Sequence, residues 1–352
     1  MKNIWNWLNK PHRLEEIIIN RDKNNFDIIR HLAALIVIYQ HCYFLNPSWY
    51  CRAFGVPVFF FLSGLLVSQS FEASSSAKNF VWKRFLRIYP AAIVVILICA
   101  LVMGPLITAF TPDDYFKSGI LWKYISSIAL LRVYFDLPGV FQHSPLDTSV
   151  NISLWTLPLE IKMYLFTLVW GLIKLKNKNA VLAIITLILI FIGLNFSDPI
   201  DTFSQQQLHF TNFKVSAYTS LGCLYLTGTL CYWYRHRIVV RPYWLFVGAF
   251  LFLLFARFTF YGYLFDICIV MITLGFSVLD FKWLRKITQK TDLSYGLYIY
   301  GFPVEQLFIN YVYPYVNGFV LFVLIVSTTF FLAFLSWNII EKRPLQFKLL
   351  IK

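Results

Sequence analysis

The sequence predicts an all-α, polytopic membrane protein of about ten transmembrane helices with both termini in the cytoplasm. Three observations carry that prediction. Of the 352 residues, 59% are hydrophobic and only 14% are charged, whereas soluble domains run at about 45–50% apolar with about 25% charged residues. The mean hydropathy is +0.64, more apolar surface than a water-soluble core of this length can hide. The apolar residues also come in runs of the length a bilayer requires, about 17–25 residues each.

Those runs lie near 28–46, 53–71, 88–110, 153–173, 179–197, 216–234, 242–258, 260–280, 293–313 and 316–339. The segment SGILWKYISSIALLRVYF (118–135) is interrupted by Lys123 and Arg132 and reads as an interfacial helix. Charge supports this count. With the N-terminus inside, most of the 31 basic residues fall on cytoplasmic segments: Lys2 to Arg30, Lys78 to Arg87, Lys174 to Lys178, Arg235 to Arg241, Lys282 to Lys290 and Lys342 to Lys352. The outer segments instead hold Asp113, Asp114, Asp136, Asp147, Asp198 and Asp201. Counting 118–135 as a crossing would place KLKNKN (174–179) outside, against the positive-inside rule. The expected organisation is a cytoplasmic segment (1–27), one transmembrane domain (28–340) and a short cytoplasmic tail (341–352). A polar lead precedes the first apolar run, so no secretory signal is expected.

Membrane orientation accounts for the +14 net charge, and no nucleic-acid partner is called for. The six cysteines are scattered, with no C-x-x-C pair and no histidine-rich cluster. Neither a metal site nor a disulfide framework is expected from them.

Chemistry then rests on the charges inside the apolar runs. In FDIIRHLAALIVIYQH (26–41), Arg30 and His41 are eleven residues apart. At about 100° per residue both leave one helix face, separated by a rise of about 16 Å. An ionisable residue as deep as His41 marks a functional site by default; the plainer alternative is a core histidine satisfied by a neighbouring helix. In KRFLRIYPA (83–91), Lys83, Arg84 and Arg87 share one turn at the predicted start of the third span. Guanidinium groups at a helix start suit phosphate, while ordinary positive-inside flanking is the commoner cause of such a cluster. In SLWTLPLE (153–160), Glu160 could orient an imidazole or accept a hydroxyl proton, and Trp155 could stack on a sugar ring. The alternative is an interfacial tryptophan with Glu160 paired to Lys162 or Arg132. Asp266 shows no evident partner and Arg257 reads as interfacial; both are taken as structural. Ser63 and Gly64 read as close helix packing rather than as a nucleophile. Tyr295 and Tyr298 read as interior residues.

Taken together, DIIRHLAALIVIYQH (27–41), GVPVFFFLSGLLVSQSF (55–71), KRFLRIYPA (83–91), SLWTLPLE (153–160), SYGLYIYGFPVEQ (294–306) and IEKRPL (340–345) resemble the bacterial membrane-bound acyltransferase-3 family over nearly the whole chain. Arg30 and His41 match its Arg-x10-His arrangement, and Arg84 and Arg87 its Arg-x-x-Arg element. Two positions depart from its pattern: His31 stands where Gly is frequent, and Gly301 where many members have His. Members can carry a trailing extracytoplasmic hydrolase-like domain; this chain stops shortly after Pro344, and none is expected.

The resemblance implies an inner-membrane O-acyltransferase. It would transfer an acyl group, acetyl by default from acetyl-CoA, to a hydroxyl of a surface glycan or its lipid-linked precursor. Arg84, Arg87, Lys83 and Arg30 would hold the donor's phosphates. His41 would act as general base or as acyl carrier with Glu160 assisting, and Trp155 would meet the acceptor. No metal is implied. A transporter or flippase of a lipid-linked glycan, or a polysaccharide-export component, is the competing class, although the paired broken helices frequent in transporters are not visible.

Overall fold

A computed structural model of the chain describes residues 2–42, 54–175, 177–196, 215–255 and 262–346. Asp198, Asp201, Lys176, Arg257, Lys348 and Lys352 lie outside the described residues. In chain order the helices are α1 (Lys2–Leu8), α2 (Leu14–Ile19), α3 (Phe26–His41), α4 (Gly55–Glu72), α5 (Ala77–Ile107), α6 (Pro112–Lys117) and α7 (Gly119–Ser126). They continue as α8 (Leu157–Leu172), α9 (Lys178–Phe196), α10 (Val215–Trp233), α11 (Tyr243–Phe255), α12 (Gly262–Ser277), α13 (Lys282–Lys290), α14 (Ser294–Tyr311) and α15 (Gly318–Gln346). A helix lies at each of the ten predicted apolar segments. Among the described residues, four helices are long and apolar enough to cross a membrane, or five if the bent pair formed by α12 and α13 is one span. At eight residues, α7 reaches only about 12 Å, too short to cross a hydrocarbon core of about 30 Å. Apolar helices on this scale make the chain a membrane protein.

By contacts the chain divides into two units. The first comprises Met1–Ala33, Arg52–Ser74 and Leu165–Lys290. Its tightest helix pair is α4 with α10, and glycine makes that pairing possible. A Cβ at Gly64 would collide with the carbonyl oxygen of Tyr225, and one at Gly228 with that of Phe61. The backbones therefore touch directly, the small-residue packing on which helices in lipid depend. Gly222, also on α10, has open space around it. We expect Gly64→Leu to lower stability by about 1–3 kcal/mol through overpacking, and Gly222→Ala to be neutral, as read from thermal unfolding of the purified protein in detergent. At the polar end of this unit, His12 and Arg13 (β1) pair antiparallel with Val240 and Val239 (β2). Asn25 ties the start of α3 to the end of α12 by donating to the carbonyls of Phe276 and Leu279. Asp266 is paired after all, since Ser220 Oγ donates to its carboxylate at 3.0 Å.

The second unit comprises Ala34–Cys51, Ser75–Tyr164 and Thr291–Lys352. Its two long helices, α5 and α15, share one device. Each opens into a π turn, Cys99–Met103 and Trp337–Glu341, shortly before a proline, Pro105 or Pro344. Proline has no N–H for the carbonyl four residues back, so the regular ladder cannot close there. Packed against both is α14, whose residues from Ser294 to Gln306 are all buried. It packs on α15 with Gly296 against Ala333. Facing protein rather than lipid, α14 can afford Glu305, Gln306 and Asn310 in a span-length helix.

The third predicted span begins at residue 88, but its helix starts at Ala77, capped by Ser76, whose side chain accepts the N–H of Asn79. Lys83, Arg84 and Arg87 therefore lie about two to three turns inside α5. They do not stand at a helix N-terminus, and the helix-dipole argument for phosphate does not apply to them.

Candidate active site

The second unit gathers polar side chains at two levels of α14. At the first level, His41 closes the described part of α3 and presents Nδ1 at 3.0 Å from Glu305 Oε2. Glu305 is 0% exposed, whereas the His41 side chain retains 26%. The ring of Phe302 meets the imidazole edge-on, with centroids 5.1 Å apart. Local sequence explains the meeting. Gly301, one turn before Glu305, has no side chain, and Ile38, one turn before His41, fills the space; a Cβ at Gly301 would lie 3.0 Å from Ile38 Cγ1. The glycine that departs from the family pattern thus sets the helix contact that brings imidazole to carboxylate.

Glu305 Oε1 is buried and accepts no hydrogen bond from the described residues. Beside it, Gln306 fastens the loop that precedes α8. Gln306 Nε2 donates to the carbonyls of Asp147 (2.7 Å) and Ser149 (2.6 Å), and Ser144 Oγ donates to Gln306 Oε1 (2.8 Å). Further along, Asn151 Nδ2 donates to the Ile299 carbonyl at 2.9 Å. The loop is therefore held against the same helix that carries Glu305.

At the second level, Arg87 donates to Asp292 Oδ2 at 2.7 Å, and Ser294 Oγ donates to Asp292 Oδ1 at 2.6 Å. The Arg87 guanidinium lies 5.9 Å from the Tyr295 ring centroid, and Arg84 lies 5.6 Å from that of Tyr164. Tyr164 in turn donates to Glu160. Glu341, from the π turn of α15, is within electrostatic reach of Arg87. A guanidinium has five donors, so pairing with one carboxylate leaves capacity for an anion.

Between the levels, Tyr295, Tyr298, Phe302 and Glu305 recur at i, i+3, i+7 and i+10, which places them on one face of α14. Ten residues correspond to about 15 Å of rise. Tyr298 shares a hydrogen bond of 2.8 Å with Thr156. One face of α14 therefore spans the distance from the Arg87–Asp292 pair to the His41–Glu305 pair.

Glu160, expected to orient the imidazole, lies instead beside Tyr164, whose ring Arg84 approaches. Glu160 accepts from that tyrosine, and the carboxylate on His41 is Glu305. Trp155 sits in the 3-10 turn Ile152–Thr156, adjacent to the residue that bonds Tyr298. Lys83 is half-buried on α5. Arg30 belongs to the first unit, 4.0 Å from Asp27, which also takes a 2.8 Å bond from Arg21. His31 makes a 2.7 Å bond through Nδ1 to the Asp27 carbonyl. Sequence reasoning missed Glu305 and Asp292. Glu305 could have been found: an acid inside YGFPVEQLF is as anomalous as a histidine inside LIVIYQH.

The site can be set beside known proteins. A family model described as an acyltransferase domain matches residues 23–338. An O-acetyl transferase of Shigella phage Sf6 is 30% identical over 336 residues, covering 91% of this chain and 95% of the phage protein. Nodulation protein 10 of Rhizobium leguminosarum bv. viciae is 33% identical over 41% of this chain and 42% of its own. A peptidoglycan O-acetyltransferase of Listeria monocytogenes is 32% identical over 43% of this chain and 24% of its own length. No solved structure matches the chain. With the acyltransferase model spanning most of its residues and a relative aligned nearly end to end, the chain belongs to this acyltransferase family and is a membrane O-acetyltransferase.

Proposed function

We propose that the protein takes an acetyl group from cytoplasmic acetyl-CoA and transfers it to a hydroxyl of a cell-surface glycan or its lipid-linked precursor. The observation that carries this reading is the buried Glu305 carboxylate on Nδ1 of His41. A carboxylate there fixes the proton on Nδ1 and leaves the lone pair on Nε2, the arrangement a general base needs. Nε2 removes the acceptor's hydroxyl proton as its oxygen attacks the thioester carbonyl. The carbon–sulfur bond then breaks, and the same proton passes to the departing thiolate, giving free CoA and the acetyl ester. Glu305 does not meet the reacting atoms; it positions the base.

Arg84 and Arg87, with Lys83 beside them, hold the phosphates of CoA, and the extended pantetheine arm follows the Tyr295–Phe302 stripe to His41. Glu160, through Tyr164, keeps the arginine end polar, and Trp155 faces the acceptor. The protein sits in the inner membrane with ten spans and both termini in the cytoplasm, as its basic segments favour.

Calorimetric titration with CoA tests the donor end. Charge-assisted hydrogen bonds contribute about 1.5–3 kcal/mol each, so Arg84→Ala should weaken CoA binding by about tenfold or more, and the loss should shrink as salt is raised. Arg87→Ala is the poorer probe, because it also strands Asp292. Unchanged CoA affinity in Arg84→Ala would remove the phosphate role from this pair.

A further inference from the structure

Helix α13, KWLRKITQK, is built inside out. Its axis turns by 102° from that of α12. At about 100° per residue its side chains fall into three sectors. Arg285, Thr288 and Gln289 form one, and this polar sector is the one that faces protein. Arg285 donates through Nε to Asn25 Oδ1 at 3.0 Å, through one terminal nitrogen to the Leu279 carbonyl at 3.0 Å, and through the other to the Asp22 carbonyl. Gln289 donates to the Arg21 carbonyl at 2.7 Å. The opposite sector holds Trp283, Ile287 and Leu284, which are 76%, 44% and 37% exposed. The third holds Lys282, Lys286 and Lys290, all exposed along one edge of the apolar stripe. Asp280 lies 3.6 Å from Lys282, which leaves Lys286 and Lys290 as the net positive edge.

In water this arrangement would be backwards, with polar groups buried and a tryptophan exposed. It becomes favourable where the outer face meets an apolar medium bordered by negative charge. We propose that α13 lies in the membrane interface, with Trp283, Leu284 and Ile287 seated at the top of the acyl chains and Lys286 and Lys290 binding the phosphates of anionic phospholipid headgroups. Tryptophan prefers that depth, and a lysine near an anionic bilayer surface contributes about 1 kcal/mol. The buried Arg285 network fixes the helix's rotation, so the stripe cannot turn away. This inference depends on neither the reaction nor the sidedness proposed above.

The test uses the full-length protein in lipid nanodiscs. The difference in fluorescence between wild type and Trp283→Phe isolates one of the eleven tryptophans. That difference signal should be quenched by lipids brominated near the top of the acyl chain. Brominated phosphatidylglycerol should act at about thirtyfold lower mole fraction than brominated phosphatidylcholine, the equivalent of the two lysines' contributions together. Lys286→Gln/Lys290→Gln should erase the preference and keep the quenching. Both lysines are exposed, so the fold should survive. Quenching by aqueous iodide instead of brominated lipid would overturn the proposal. So would quenching by neither, with a dimeric mass showing the stripe covered by a second copy. Equal response to the two lipids would overturn the anionic specificity.

Discussion

Replacing His41 by alanine should reduce acetyl transfer by about 10²–10⁴-fold, the range that a positioned general base contributes, while CoA affinity stays within error of wild type. The second half of that expectation matters as much as the first. His41 and the arginine pair sit at opposite ends of the α14 stripe, so losing the base should not disturb donor binding. Alanine has a side effect, because it removes the hydrogen-bond partner of a fully buried carboxyl at a cost of a few kcal/mol, roughly. His41→Asn supplies the control. Its amide N–H can still reach Glu305, yet it offers no base. A variant as stable as wild type but as inactive as His41→Ala, measured by radiolabelled acetyl transfer beside thermal unfolding, would separate chemistry from folding.

Glu305→Gln should be nearly as damaging, lowering kcat by about 10²–10⁴-fold with little change in the KM for acetyl-CoA. The substitution is close to isosteric, so the buried volume at position 305 is kept. What is lost is the charge that holds the imidazole: a glutamine amide can donate to Nδ1 as readily as accept from it, and the first orientation places the proton on Nε2, where the lone pair is needed. In serine proteases the equivalent loss of the orienting aspartate lowers turnover by about 10⁴. Glu305→Asp should recover part of the activity, because it restores the charge at a longer reach. A purely structural role for Glu305 predicts the reverse ranking, with the isosteric glutamine milder than the shortened aspartate.

His41 stood out in the sequence because an ionisable group inside an apolar run is costly, whereas the arginine pair stood out as a basic cluster in one turn at the edge of an apolar run. Glu305 obeys the rule that exposes His41, but it lies within a motif whose glycine at 301 departs from the family pattern, a departure that speaks against catalysis there. Helix α14 shows why hydropathy alone underestimates such a fold. Its environment is other helices, so it carries Glu305, Gln306 and Asn310 and fails a length-and-hydropathy test that α5 and α15 pass. The start of α5 was misplaced because Lys78, Lys83, Arg84 and Arg87 resemble a flank, although the serine run 74–76 held a cap signal. The Arg87–Asp292 bond joins residues 205 positions apart, and no local pattern announces it. The approximate places of the long apolar helices, by contrast, were legible, because runs of about 17–25 apolar residues are what a crossing helix requires, whereas the short helices α1, α2 and α13 carry no such signal.

The most direct measurement of the central claim combines purified full-length protein, acetyl-labelled CoA and a glycan acceptor fraction, followed by separation of glycan, protein and donor. The account predicts label in an ester on the glycan for wild type, none for His41→Asn, and equal retention of CoA by both proteins. Label reaching the glycan at the wild-type rate in His41→Asn would contradict it, as would a wild-type protein that neither retains CoA nor moves the acetyl group.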